Sequence, residues 1–171
     1  QDAARLEQPL DRMARTLLPG MKYRDAEESP RWQAGYDLAM GRVLAQKVRT
    51  ETYNAMLAKA KLGMTFEKEK NNTWILESSD EITVGSKWKR EADTALMLLN
   101  TVAEEHPGTP WALLAKKELE VPIGWKWTEE FTDLAPPPQR RPGNNNNNPR
   151  PPRDDQKRMI PKAPKRPVPK L

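Results

Sequence analysis

The side chain best suited to proton transfer or metal binding in this chain is its single histidine, His106, and the chain has no cysteine to join it. Glu104 and Glu105 precede it directly, but consecutive helix residues point in different directions and do not converge on one atom. A general base or a metal site needs partners that do converge. We therefore predict that His106 ends a helix, where its ring meets the free carbonyl groups favourably.

No other motif in the sequence indicates a reaction. A phosphate-binding loop needs several glycines and a Lys-Ser or Lys-Thr pair at a helix start, whereas Gly35, Gly41, Gly63 and Gly85 stand singly. The remaining carboxylates are scattered through polar stretches, where solvation explains them. We predict no catalytic residue, no metal ligand and no cofactor, so the protein is not expected to be an enzyme.

Six tryptophans are many for a chain of 171 residues, and large aromatic side chains serve both cores and binding surfaces. Trp32, Trp88 and Trp111 fall on apolar helical stripes, so we predict that all three are buried. Trp125 and Trp127 lie in a short extended stretch that puts both rings on one side. They form either a lid on the last helices or an aromatic shelf for a proline-rich strand or another ligand.

Residues 136–171 differ from the rest of the chain, because they hold eleven prolines, ten Lys or Arg, two acids and the asparagine run 144–148. Such a segment cannot bury enough apolar surface to offset the entropy of ordering its backbone. We therefore predict a disordered, proline-rich basic tail over 135–171, after a helical body over 1–134.

The tail has a net charge of +8, whereas residues 1–134 carry 19 basic and 22 acidic residues. Its Pro-x-x-Pro sequences at 149–152 and 161–170 could bind a groove on a partner, bind polyanions weakly, or act as a spacer. The candidate interaction residues are Arg150, Arg153, Lys162, Lys165 and Arg166. Because the tail lacks aromatic rings for base stacking, sequence-specific nucleic-acid recognition is not predicted.

Apolar stripes and start signals place four helices in the body. The strongest begins at Ser29-Pro30, where a capping residue precedes proline at the first helical position, and its stripe descends in steps of four from Trp32. Gly35 and Gly41 indicate a close helix crossing within it. The predicted helices cover residues 2–18, 29–62, 86–105 and 109–121, with a charged spacer at 21–28.

The last two helices are joined by the short turn 106–108, so they must be antiparallel. Between residues 64 and 85 the helical period stops, and the apolar runs 74–76 and 82–84 could pair as a β-hairpin or pack as an irregular flap. The predicted fold is mainly α, with antiparallel helical hairpins and a small irregular or β insert.

The stretch HPGTPWALLA at 106–115 resembles the turn and second helix of tetratricopeptide-like units. In those units a proline-containing turn leads into a helix of small residues. The repeat spacing of such arrays is absent, because the helix that follows Ser29-Pro30 is far longer. The resemblance therefore implies one tetratricopeptide-like hairpin.

The body also contains PRWQAGYDLA (30–39), TYNAMLA (52–58), HPGTPWALL (106–114) and PIGWKW (122–127). These stretches look like the C-terminal region of planctomycete-type bacterial proteins that carry an upstream von Willebrand factor A domain. The resemblance covers roughly residues 10–130 and implies that the chain belongs to a longer bacterial protein. The Asp-x-Ser-x-Ser pattern of the family's metal-ion-dependent adhesion site is absent here, so no metal ligand is implied.

These features favour a non-catalytic scaffold or protein-interaction region with an unidentified protein partner. The alternative is a polyanion-binding protein that attaches to nucleic acid or an anionic surface through its basic tail. No apolar run approaches the ~20 residues needed to cross a bilayer. The compartment stays open, because a targeting or anchor segment could precede Gln1.

Overall fold

The computed structural model describes residues 2–134, and the predicted tail lies outside them. Within that range the fold is mainly helical, as predicted, and a small two-stranded sheet accompanies the helices. The elements are α1 (Asp2–Leu17), a 3-10 helix (Leu18–Ala26), α2 (Pro30–Lys61), β1 (Thr73–Ser79), α3 (Ser86–Glu105), α4 (Pro110–Leu119) and β2 (Gly124–Glu130). No helix among these residues is long and apolar enough to span a membrane.

Helix α2 is the centre of the fold, since it contacts α1, α3, α4 and β2. Its inner face packs on α3 through apolar side chains, of which each methionine, leucine or valine stabilises the fold by about 1.5–3 kcal/mol when fully buried. These core residues are Met40, Leu44, Ala45 and Val48 of α2 with Ala92, Ala95, Leu98, Leu99 and Val102 of α3. The stripe from Met40 to Val48 is therefore core, as predicted.

The close helix crossing lies at Gly41 and not at Gly35. A β-carbon on Gly41 would come within 2.9 Å of Leu99 Cγ and 3.3 Å of the Ala95 carbonyl oxygen. A β-carbon on Gly35 would meet only the Trp111 indole nitrogen, at 3.9 Å. Because glycine has no side chain, α2 and α3 can approach each other closely at Gly41.

The predicted helix starts are correct, but the two capping residues differ. Thr109 caps α4 with its side chain, because its hydroxyl oxygen accepts a hydrogen bond from the Ala112 backbone N–H at 3.2 Å. Ser29 holds the corresponding position before α2 without a side-chain capping bond. The α3–α4 hairpin predicted from the short turn is confirmed, since the two helices contact each other.

Of the two alternatives for this insert, the β-hairpin between residues 74–76 and 82–84 does not form. Strand β1 pairs instead with β2, in antiparallel register from Thr73 opposite Glu130 to Ser79 opposite Gly124. Residues 82–84 form no strand, and Ile82 packs against the helical core. The insert is thus half strand and half irregular, and its partner strand β2 follows the α3–α4 hairpin in the sequence.

Glu129 of β2 fixes the loop that leads into β1. Its carboxylate accepts hydrogen bonds from the backbone N–H groups of Glu67 at 2.6 Å and Lys68 at 3.2 Å, and from the Asn71 side chain at 3.1 Å. The bond from Glu67 is the main reason why the pKa of Glu129 lies below its ordinary value. This loop is held by a side chain that lies about sixty positions further along the chain.

Several apolar residues that were placed on helical stripes prove to be exposed. The largest discrepancy is Trp32, whose surface is 67% exposed. Four further residues, which the three- and four-residue helical spacing also places on the predicted apolar stripes, are exposed as well: Leu6, Met13, Ala39 and Leu114. The predicted spacer at 21–28 is also more than a spacer, because most of it belongs to the 3-10 helix and it carries the partner of a buried carboxylate, described below.

Candidate interaction site

Trp125 and Trp127 lie side by side on β2 and face α2, with both rings half buried. The indole N–H of Trp125 donates to the Arg49 carbonyl at 2.9 Å, and that of Trp127 to the Met56 carbonyl at 3.3 Å. The Trp125 ring also meets Tyr53 edge-on, with 5.1 Å between centroids. This arrangement disfavours a free aromatic shelf, because the polar ends of both rings are already used to attach the sheet to α2. The predicted lid on the last two helices is also wrong in its position, since among the described elements β2 contacts α2 and β1 but neither α3 nor α4.

The other sequence candidates do not gather into a site. Arg150, Arg153, Lys162, Lys165 and Arg166 lie outside the described residues and remain predictions. His106 follows the last residue of α3, where its backbone N–H donates to the Val102 carbonyl at 3.3 Å and its backbone carbonyl accepts from the Thr109 hydroxyl at 2.7 Å. Across residues 2–134, no group of three or more histidine or carboxylate side chains is placed to hold a metal ion.

The position of Trp32 follows from the geometry of a helix. Four residues turn a 3.6-residue helix by about 40° more than a full circle, so a stripe in steps of four drifts around the axis. Trp32 is two such steps before Met40 and has drifted about 80° from the core face. It emerges at the surface beside the 3-10 helix.

Trp32 and its neighbours form a groove of about 380 Å³, which we call the aromatic groove. Two of its rings are largely in solvent, since Trp32 is 67% and Tyr23 is 63% exposed, whereas Tyr36 is half buried. The groove is lined by Gly20, Tyr23, Arg24, Glu27, Trp32, Gln33 and Tyr36. Large aromatic side chains that stay exposed together often mark a binding surface.

A buried ion pair holds the floor of the aromatic groove. The Arg24 guanidinium binds both carboxylate oxygens of Asp37, with Nε and Nη2 each 2.7 Å from its acceptor. Asp37 is completely buried, and its hydrogen bond with Arg24 raises the pKa of the arginine above its ordinary value. A bidentate pair of this kind fixes the 3-10 helix against α2 in one geometry.

Two further contacts fix the walls of the groove. The Gln33 side-chain amide donates to the Glu27 carbonyl at 2.7 Å, and the Tyr36 hydroxyl donates to the Leu17 carbonyl at 2.9 Å. Gly20 lies so close to the Tyr36 ring that a β-carbon at this position would come within 2.6 Å of Cε2. Burial and the nearby Asp37 charge raise the pKa of Tyr36 above its ordinary value.

Several polar groups in the exposed part of the groove have no hydrogen-bond partner among the described residues. Neither the Trp32 indole N–H nor the Tyr23 hydroxyl has a hydrogen-bond partner within residues 2–134. Glu27 uses one carboxylate oxygen to accept from the Ser29 N–H at 3.0 Å, and its side chain stays at the surface. The groove therefore offers aromatic faces, two donors and a carboxylate on a fixed frame.

A second set of polar groups lies between α2 and α3, and these groups form ion pairs and hydrogen bonds with each other. The Lys47 ammonium is 2.6 Å from a Glu91 oxygen and 3.0 Å from a Glu51 oxygen, and the Trp88 indole donates to Glu51 at 2.7 Å. We call Lys47, Glu51 and Glu91 the ion cluster. Burial opposes both charges, but the hydrogen bonds outweigh it, so the pKa of Lys47 is raised and that of Glu51 is lowered.

The aromatic groove was not predicted from the sequence, because the apolar stripe of α2 places Trp32 in the core. The available signal was the position of Trp32 in the first turn of α2, where a helix has neighbours on fewer sides, together with Tyr23 in the preceding segment. Comparison of this chain with protein-family models, curated proteins and solved structures found no match. Any function must therefore be argued from the groove itself.

Proposed function

We propose that this chain is a non-catalytic protein-interaction region that binds its partner through the aromatic groove. The observation that carries the proposal is the exposure of Trp32 and Tyr23 beside each other, with unused donors on both. Tryptophan and tyrosine dominate the energetics of protein interfaces, because one rigid ring buries much area and still offers a hydrogen bond.

The rigid frame of the groove supports this function. Arg24, Gln33 and Tyr36 are all tied to neighbouring groups by hydrogen bonds, so the rings are carried on elements that are already fixed. A preformed site loses less conformational entropy when its partner binds. The polar groups of the ion cluster, in contrast, are paired with each other.

A peptide-display selection tests the proposal. The full chain and its Trp32→Ala variant are each used to select from a library of random displayed peptides. We expect sequences that the unmodified chain enriches and Trp32→Ala does not. Phe131→Ala is the control, because Phe131 is also an exposed ring, at 61%, but lies outside the groove, so it should enrich the same set. Equal enrichment by Trp32→Ala, or turnover of a substrate that depends on a single polar residue, would contradict the proposal.

We further propose, from the resemblance over residues 10–130, that the interaction region belongs to a longer bacterial protein with an upstream von Willebrand factor A domain. The α3–α4 hairpin would then be a single tetratricopeptide-like unit within it. The test is to read the coding sequence upstream of Gln1. An Asp-x-Ser-x-Ser motif in a predicted α/β domain supports the assignment, and an upstream sequence without that domain refutes it.

The charge of residues 136–171 supports a second candidate function, which is the binding of polyanions. Neutralising phosphates releases counterions, so such binding weakens steeply with salt. Replacing Arg150, Arg153, Lys162, Lys165 and Arg166 with glutamine in the full chain should strongly weaken binding to duplex DNA or anionic vesicles at low salt. Unchanged binding would exclude this function, and Trp32→Ala should not affect it.

A further inference from the structure

We propose that the ligand of the aromatic groove is a proline-rich, basic segment of a partner polypeptide in the polyproline II conformation. This inference rests on the proposed function, because it names the class of partner that the same groove takes. Three properties of the groove lead to it: the arrangement of its rings, its free donors and the charge at its rim.

The rings suit proline because they present apolar faces without a deep pocket. Tyr23, Trp32 and Tyr36 line one open groove, and two of them are more than 60% exposed. A polyproline II helix has three residues per turn and presents ridges of flat pyrrolidine rings, which pack on aromatic grooves. Its conformation is preformed in solution, so little ordering entropy is lost on binding.

The free donors suit the backbone of such a helix. Polyproline II has no internal hydrogen bonds, and its carbonyl groups remain open to donors on a partner. The indole N–H of Trp32 and the hydroxyl of Tyr23 have no partner among the described residues, and each ring carries its donor at the edge of an apolar face. One side chain can thus hold a proline ring and bind an adjacent carbonyl.

The Glu27 carboxylate at the rim of the groove is where a basic group of the ligand can bind. Glu27 lines the groove and Glu28 follows it, and both side chains are exposed. Arg24, the cation in the lining, is already neutralised by Asp37. The Lys22 ammonium lies 4.6 Å from the centroid of the Tyr23 ring, so one side of that ring is covered and the other is left for a ligand. An arginine or lysine next to the prolines would meet Glu27.

A carbohydrate is the main rival, since sugars also stack on aromatic rings. Recognition of a sugar requires several polar side chains directed at its hydroxyl groups, because a buried polar group left unpaired is costly. In this groove Gln33 is committed to the Glu27 carbonyl, Arg24 to Asp37 and the Tyr36 hydroxyl to the Leu17 carbonyl, so the donors of Trp32 and Tyr23 and the Glu27 carboxylate are what remains for a ligand. The groove is therefore better matched to a ligand that needs few hydrogen bonds.

Fluorescence anisotropy with the full chain tests the inference. The probe is a labelled peptide with a Pro-x-x-Pro core followed by two arginines, and the control peptide has alanine in place of every proline. We expect saturable binding of the probe and a loss of about tenfold or more for the control peptide. Trp32→Ala should weaken binding of the probe by about tenfold or more, the loss typical of an aromatic anchor.

Conservative variants separate the three properties of the groove. Trp32→Phe keeps a ring but removes the donor, so we expect an intermediate loss of about threefold. Glu27→Gln should weaken the arginine-containing probe by about threefold and leave a probe with glutamine in place of arginine unchanged. Phe131→Ala should bind like the unmodified chain. In the NMR spectrum, the indole N–H resonance that Trp32→Phe lacks should shift when the probe is added.

The outcomes distinguish this inference from the function on which it rests. Equal affinity for the proline and alanine peptides, or an unchanged affinity in Trp32→Ala, overturns the inference. If the display selection still enriches Trp32-dependent peptides without proline, the interaction function stands and only the ligand class is wrong. If a cello-oligosaccharide binds in a Trp32-dependent manner and no peptide does, both are wrong.

Discussion

The first turns of α2 and α3 carry a tryptophan at the same position, the third residue of the helix, and use it in opposite ways. Trp88 in α3 is half buried, and its indole N–H donates to Glu51 of the ion cluster. Trp32 in α2 is exposed, and its N–H has no partner among residues 2–134. The same residue type at the same helical position therefore supports the fold in one region and is available for binding in the other.

The largest effect on stability is expected at the ion cluster. Lys47→Ala removes a buried ammonium and leaves the carboxylates of Glu51 and Glu91 facing each other, which should lower the free energy of unfolding by about 3 kcal/mol. Lys87→Ala is the matched control: its ammonium is 3.6 Å from the same Glu51, but its side chain is 62% exposed, so about 0.5 kcal/mol is expected. Denaturant unfolding measures both, and similar losses would show that the cluster is not buried in solution.

The second-largest effect on stability is expected when Trp88 is replaced, and the matched change at Trp32 should have almost none. Trp88→Phe keeps the ring but loses the hydrogen bond to a charged acceptor, so we expect the free energy of unfolding to fall by about 2 kcal/mol. Trp32→Phe should change it by less than about 0.5 kcal/mol, because an exposed side chain without a partner contributes little. If urea unfolding gave equal losses for the two variants, the contrast between the two helix starts would not hold.

Two glycines of α2 extend the comparison to the backbone. Gly41→Ala should lower the free energy of unfolding by about 1–2 kcal/mol, because the new methyl group overlaps Leu99 and the Ala95 carbonyl. Gly35→Ala, near the aromatic groove, should raise it by about 0.5–1 kcal/mol, since the site has room and alanine favours the helix. Thermal and chemical unfolding would reveal these opposite signs, and the same sign for both would refute the assigned crossing point.

The smallest effect is the pH dependence contributed by Glu51. Its pKa is lower in the folded chain than its ordinary value, because the bonds from Lys47 and Trp88 outweigh the opposing effect of burial. The stability it contributes is therefore present above its unfolded-state pKa and is lost as the pH falls through its folded-state pKa. The effect is small because burial offsets much of the hydrogen bonding.

Glu51→Gln tests this dependence when the free energy of unfolding is followed from neutral to acidic pH. The variant should lose less stability over that range than the unmodified chain. Glu104→Gln is the control, since Glu104 is exposed and makes no ion pair within the described residues, and it should follow the unmodified chain. Parallel curves for Glu51→Gln and the unmodified chain would exclude Glu51 as a contributor.

The helices could be predicted because their signals are local. Ser29-Pro30 and Thr109-Pro110 mark starts within a few residues, and the α2 stripe from Met40 to Val48 repeats over adjacent turns. The partner of β1 could not be predicted this way, since β2 is separated from it by α3 and α4. A nearby apolar run at 82–84 was the obvious candidate, and no local rule excluded it.

The aromatic groove was missed for a related reason. The stripe of α2 is correct in the middle of the helix, where α3 covers it, but a pattern in steps of four does not reveal where the covering helix ends. The Arg24–Asp37 pair was equally hidden, because an arginine in a charged segment gives no sign of a buried partner thirteen positions later. Both features depend on which elements meet, and not on the local sequence.

The pairing of β1 with β2 has a consequence for the order of folding. The two strands close residues 80–123 into a loop that contains the whole α3–α4 hairpin. Closing so long a loop requires entropy to be lost before any ladder bond forms, whereas α3 and α4 can meet across their short turn at once. We therefore expect the hydrogen bonds between β1 and β2 to form last in folding, after the helices have packed. When the sheet opens, β1 is the strand that is released, because β2 is the only described element it contacts, whereas β2 stays attached to α2 through Trp125 and Trp127.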